Sequence, residues 1–254
     1  MRAEPSGGLT PADDRRQAVS LSLFRFPTAY AKHWALWQML LARPKLKRLP
    51  GVQFLKMVGA GSREGFFPWP NFGVYGVLAA WPSLDHARAQ VNGAEVFRRY
   101  RDHACEDVTL YLHATRSRGV WAGVAPFEVR TEDDRAAPLA VLTRAAIRPA
   151  RLLAFWSRTP GIRAAIPDGP ALAFRAGLGE VPWLNQITFT VWTDRAALRA
   201  FAADPAGPHG RAAEAARRLG WFREELFARF RIAVVEGAWA GFDATALTRR
   251  PIAA

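Results

Sequence analysis

Five histidines and one cysteine are the side chains of this 254-residue chain best suited to ligate a metal or attack a substrate. His33, His86, His103 and His113 stand singly, and no two share a spacing that builds a multi-histidine metal site. His209 differs. Ala212, Ala213 and Ala216 follow it at three, four and seven positions, which places all four on one helical face. Small side chains beside an imidazole leave room for something large and flat. They equally let a helix lie close to a sheet, and periodicity alone favours that packing reading. A lone histidine suits a cofactor that brings its remaining coordination with it, of which haem is the obvious example. Cys105 competes as a thiolate ligand, but Asp102 and Glu106 beside it oppose ionisation.

Other chemistries find little support. Gly59-Ala60-Gly61 and Gly177-Leu178-Gly179 do not continue as a Gly-x-Gly-x-x-Gly turn opening a helix, so they read as sharp strand ends. No Walker A loop, His-Glu-x-x-His, Gly-x-Ser-x-Gly or EF-hand loop occurs. Gln186 and Arg229 are polar residues inside apolar strands, and such groups need a partner when buried.

The elements that must position these residues come twice. The first copy runs strand 19–24, helix 30–46, strand 52–58, strand 73–80, helix 84–104 and strand 108–114. The second runs strand 139–146, helix 151–166, strand 172–176, strand 187–191, a last helix and strand 226–235. Two landmarks recur at one offset, Gly59 to Gly177 and Trp121-Ala122-Gly123 to Trp239-Ala240-Gly241. His209 has no counterpart, since that offset lands on Val91. Each copy reads β-α-β-β-α-β, the ferredoxin-like unit. The predicted fold is therefore α+β, with tandem ferredoxin-like repeats packed face to face as an intramolecular dimeric-type α+β barrel. Its predicted divisions are a tail over 1–16, repeat 1 over 17–128, a linker over 129–138, repeat 2 over 139–245 and a tail over 246–254.

A hydrophobic content of 50% with 12% aromatics predicts a folded protein with a sizeable core. One cysteine excludes an internal disulfide and fits a reducing cytoplasm. The net charge of +13 is spread along the chain and nearly all arginine, with only four lysines, a skew that resembles the codon bias of a GC-rich genome. No zinc-finger, KH or RNP pattern accompanies it, so nucleic acid is not an expected partner. Apolar runs are far short of a membrane span, and no apolar segment marks a secretory leader.

Three blocks are recognisable: Val19-Ser20-Leu21-Ser22-Leu23-Phe24-Arg25-Phe26, Gly177-Leu178-Gly179-Glu180-Val181-Pro182 with Gln186-Ile187-Thr188-Phe189, and Gly220-Trp221-Phe222-Arg223-Glu224-Glu225-Leu226-Phe227-Ala228-Arg229-Phe230. In them the chain resembles the spheroidene monooxygenase family, acyclic-carotenoid ketolases of purple bacteria, from about residue 17 to 245. The resemblance implies a monooxygenase that installs a keto group at C2 of a spheroidene-type carotenoid by successive hydroxylations. It implies haem b, O2 as co-substrate and an external electron donor such as a ferredoxin. More faintly, Leu198-Arg199-Ala200-Phe201 through Pro208-His209 resembles the helix bearing the proximal histidine of haem-dependent aldoxime dehydratases.

On this resemblance His209 is the iron ligand. Arg144, Arg148, Arg175 and Lys56, at predicted strand ends or helix starts, are candidate partners of haem propionates. Phe174, Trp183, Phe189 and Trp221 wall the cofactor and polyene pocket, or are ordinary core. Gln186 and Arg229 are the candidate catalytic residues, donating hydrogen bonds in a distal pocket. A carotenoid resides in membrane, so a cytoplasmic, peripherally membrane-associated enzyme is expected. Helix 30–46, with Trp34, Trp37, Leu40 and Leu41 followed by Arg43, Lys45, Lys47 and Arg48, is the element expected to touch an anionic bilayer. Two alternatives stay open: a haem enzyme of this fold with another hydrophobic substrate, by oxygenase or dehydratase chemistry, and a non-enzymatic barrel that binds a hydrophobic ligand or haem.

Overall fold

The computed structural model describes residues 16–62, 67–131, 137–157, 171–203 and 218–247. Period-two alternation organises it. In β1 (Ala18–Arg25), Val19, Leu21 and Leu23 enter one apolar cluster, while Ala18 and Phe24 enter another on the opposite face. The remaining strands are β2 (Phe54–Ser62), β3 (Phe67–Trp81), β4 (Glu106–Gly119), β5 (Leu139–Ile147), β6 (Leu172–Gly179), β7 (Asn185–Trp192) and β8 (Phe222–Ala238). All pair antiparallel, and they close into a barrel in the order β1-β3-β2-β6-β7-β5-β8-β4. Closure removes free sheet edges. The inner face is filled by Leu21, Leu110, Leu142, Phe189, Phe230 and their neighbours.

Helices cover the outer face. Thr28 caps α1 (Ala29–Leu41), its Oγ1 accepting from Ala31 N at 3.1 Å. The single helix expected over 30–46 is two. Pro44 lacks an N–H, and it sits in the first turn of α2 (Arg43–Lys47), the position where that loss is tolerated. The helix expected over 84–104 likewise divides, at Gly93-Ala94, into α3 (Leu84–Gly93) and α4 (Glu95–His103). Beneath these helices Ser20 and Ser22 are buried yet satisfied. Trp81 Nε1 donates to Ser20 Oγ at 2.8 Å, and the Ser22 and Thr109 hydroxyls share a 2.8 Å hydrogen bond. In the second half α5 (Leu152–Trp156) and α6 (Arg195–Ala203) are described; the rest of the helix expected over 151–166 lies largely outside the described residues.

Strand order runs β4-β1-β3-β2 in the first half and, correspondingly, β8-β5-β7-β6 in the second. The pairing registers correct one landmark. Trp81 faces Ala18 and Trp192 faces Leu139, so Tyr75 corresponds to Gln186. Gly59, opposite Tyr75, therefore corresponds to Gly179, which is opposite Gln186, and not to Gly177. The Trp-Ala-Gly landmark does correspond, as a bridge between Trp121 and Val124 and another between Trp239 and Phe242.

The Trp-Ala-Gly turns are anion clasps. Ala122 and Gly123 have φ of 54° and 80°, which turns two successive N–H groups the same way. Both donate to Glu224, at 3.0 Å each. Reciprocally, Ala240 N donates to Glu106 at 3.2 Å, and Arg25 donates to the same carboxylate at 3.0 Å. Each half thus holds a glutamate of the other.

Candidate functional site

The two half-barrels differ on their outer faces. Five register-matched positions carry Phe24, Met57, Tyr75, Val77 and Tyr111 in the first half and Ala145, Gly177, Gln186, Thr188 and Arg229 in the second. The first set is bulky, joins one core cluster and lies under the helices. The second set is smaller or polar at every position. Burying one large apolar side chain contributes about 1.5–3 kcal/mol, so the second face has forgone several such contributions in one place. The two outer faces thus differ in bulk and polarity at every matched position. The second face offers a shallow floor of Gly177, Ala145, Thr143 and Thr188, flanked by Arg175, Gln186 and Arg229 on three different strands. Gln186 lies opposite Ala145 and Arg229 opposite Val141, on the two sides of β5. The Arg229 guanidinium sits 5.6 Å from the Phe227 ring centre on this same face.

A second polar group lies inside the barrel, at one end. Arg144 occupies the position that Leu23 holds in the first half, and its side chain is 3% exposed. Nη1 donates to Glu224 Oε2 at 2.6 Å, and Nη2 lies 3.6 Å from Glu180 Oε2. Lys56 Nζ is 2.9 Å from Glu180 Oε1, and Trp121 Nε1 donates to Glu180 Oε2 at 2.7 Å. Trp121 lies beneath both cations, at 5.6 Å from the Arg144 guanidinium and 5.7 Å from Lys56 Nζ. The Arg144 hydrogen bond, helped by the N–H groups of Ala122 and Gly123, holds the Glu224 carboxyl below its ordinary value against the opposing effect of burial.

The candidate residues therefore divide between places. Arg175, Gln186 and Arg229 share the outer face of the second half-barrel. Arg144 and Lys56 lie within strands β5 and β2, not at their ends, and meet carboxylates inside the barrel. Phe174 and Phe189 are also inside, with ring centres 6.3 Å apart. Trp221 is buried with Phe155 and Ile147 in a separate cluster beside α5. Arg148 is exposed just before the short turn that leads into α5. Trp183 is half-exposed at a φ of 66°, its carbonyl accepting from Trp156 Nε1 at 3.2 Å. His209 lies outside the described residues. Among the described residues no three His, Cys, Asp or Glu side chains gather as a metal site. Glu180, Glu224, Thr188 and Ala145 were not singled out from sequence; only Glu180 and Glu224 offered a signal there, as charged residues within the recognisable blocks.

The outer face combines two features. Its floor is formed by small side chains, and its flanks carry hydrogen-bond donors and cations. No protein-family model matches the chain. It is 44% identical over 227 residues to the spheroidene monooxygenase of Rhodobacter capsulatus, covering 89% of this chain and 94% of that protein. Identity to the enzyme of the same name from Cereibacter sphaeroides is 39% over 237 residues, covering 92% and 73% respectively. For that of Rubrivivax gelatinosus it is 31% over 211 residues, covering 83% and 80%. Among solved structures, an aldoxime dehydratase superposes with a TM-score of 0.58 at 12% identity, over 91% of this chain and 84% of that one. Another, in complex with butyraldoxime, gives 0.57 at 10% identity over 91% and 81%. At such identities the likeness is one of fold.

Proposed function

Because the chain belongs to the spheroidene monooxygenase family, and is thereby an oxidoreductase of the monooxygenase class, we propose that it introduces a keto group at C2 of acyclic carotenoids of the spheroidene type. The observation that carries this reading is identity extending over nearly the whole length of both chains. Two hydroxylations at one carbon give a geminal diol, which loses water to become the ketone. Each hydroxylation consumes one O2, two electrons and two protons, placing one oxygen atom in the substrate and releasing the other as water. An external electron donor is therefore part of the proposal, with a ferredoxin as its chemical class.

The same reading includes haem b. Bound haem would supply the activation of dioxygen at its iron. His209 is the proposed axial ligand, and the floor of Gly177, Ala145, Thr143 and Thr188 is the proposed seat. Arg175 and Arg148 are the proposed propionate partners, while Arg144 and Lys56 are assigned to holding the barrel end with Glu180 and Glu224. Gln186 and Arg229 orient dioxygen and exclude competing water. Phe174 and Phe189 support the seat from the inner side of the sheet, and Trp221 and Trp183 border it. The barrel is proposed to be two βαββαβ units, 17–128 and 139–245, joined by 129–138 and flanked by 1–16 and 246–254. Matching strand order and the reciprocal glutamate clasps support that division.

The test is a visible spectrum of the haem-supplied protein beside conversion of spheroidene in cells. The parent is expected to show a Soret band and to form the C2 ketone. His209→Ala is expected to weaken or shift the band. Gly177→Met, which restores the residue type of Met57, is expected to remove haem while the protein stays folded. A band unchanged in His209→Ala would move the ligand elsewhere, and full haem binding by Gly177→Met would refute the seat. Absence of ketone from haem-loaded parent would refute the substrate.

A further inference from the structure

Helix α1 is apolar on both sides. Ala31, Ala35 and, beyond its end, Ala42 face inward and are buried, with Trp34 packed behind them against the His103 ring at 3.9 Å. On the opposite side Tyr30 is 73% exposed, Trp37 52%, Leu40 67% and Leu41 56%, with Leu36 beside them. These positions recur at helical spacing, so they form one continuous outward stripe. Trp37 Nε1 donates to His33 within the stripe at 2.9 Å.

Single exposed apolar residues need no explanation, but a contiguous stripe of this kind marks an interaction surface. Charge says of what kind. The exposed Arg43, Lys45, Lys47 and Arg48 follow the stripe immediately, and no acidic residue occurs anywhere between Asp14 and Glu64. Indole and leucine side chains over a basic rim match the boundary of an anionic bilayer, where aromatic rings and aliphatic chains enter the acyl region and cations meet phosphate. Among the described residues no helix is long and apolar enough to cross a membrane, so the contact is a peripheral one. We infer that the outward face of α1, with α2, is a docking surface for anionic lipid bilayers, with Trp37, Leu40 and Leu41 inserted and Arg43, Lys45, Lys47 and Arg48 paired to headgroups. The inference goes beyond the proposed activity and needs neither haem nor carotenoid to hold.

It is tested by sedimenting the full chain with carotenoid-free vesicles, either pure phosphatidylcholine or containing about 30% phosphatidylglycerol. The parent is expected to pellet with the anionic vesicles and much less with the neutral ones. Leu40→Ser with Leu41→Ser is expected to lower that binding about tenfold or more, since two inserted side chains are lost. Lys45→Glu with Lys47→Glu is expected to erase the preference for anionic lipid. All four substituted side chains point outward, so an unchanged melting temperature is expected and checks the fold. A parent that stays in the supernatant, or variants that bind as well as the parent, would overturn the inference. So would a parent dimer on size exclusion that the leucine pair dissolves, because the stripe would then be a contact between copies.

Discussion

Replacing Arg144 by methionine keeps an unbranched apolar stem but removes the charge that meets Glu224 at 2.6 Å and lies near Glu180. Both ends of this interaction are shielded, with side-chain exposures of 3% for Arg144 and 24% for Glu224. Deleting one member of a buried pair leaves the other charge in a poor solvent, at a cost of about 3–5 kcal/mol. Glu224 keeps two backbone N–H donors, at 3.0 Å each, so the lower end applies. For a chain of this size about 3 kcal/mol corresponds to a fall in Tm of roughly 6–12 °C. The assay is thermal denaturation of Arg144→Met, Glu224→Gln and the double variant. The double variant is expected to recover at least about 1 kcal/mol relative to the sum of the singles, since removing both partners leaves no orphaned charge. A fall of less than about 2 °C for Arg144→Met would refute the reasoning. If haem affinity fell while Tm held, Arg144 would serve a cofactor carboxylate instead of the barrel end.

Acid is expected to erode the same contact. The folded Glu224 carboxyl sits below its ordinary value of 4.5, so its contribution is complete above that pH and is lost as pH falls through the folded value. The Tm gap between the parent and Glu224→Gln, followed from pH 7 to pH 3, is expected to stay constant and then close below pH 4.5; a gap that widened in acid would contradict the assignment. Gly119 and Gly237 are matched positions with φ of 94° and 85°, and at each an added Cβ would collide with a backbone oxygen of the paired strand, that of Glu225 and Asp107 respectively. Gly237→Ala is expected to cost about 2 kcal/mol or more in chemical denaturation, from strain at positive φ together with the clash; a loss under about 0.5 kcal/mol would show that the strand relaxes freely there.

Much of this protein could be read along the chain because the signals are local. Alternating runs such as Val19 to Phe24 mark strands wherever they fall, and Thr28 and Pro44 act on helix ends through their own atoms. Three contiguous blocks sufficed for the family. Lengths were less legible: β3 begins at Phe67 rather than Gly73, because a strand continues as far as its partner does.

What depends on long-range pairing required the fold. That Gly59 matches Gly179, that Arg144 stands where Leu23 stands, and that five bulky residues of one face become small or polar on the other are statements about register between strands distant in sequence. A shift of one residue would exchange the inner and outer faces of a strand. Sequence placed Arg144, Lys56, Arg175, Gln186 and Arg229 in one list of candidates. Barrel closure sent the first two inward to Glu180 and Glu224 and set the other three together outside, because side chains alternate across a sheet and only the tertiary pairing decides which face is which.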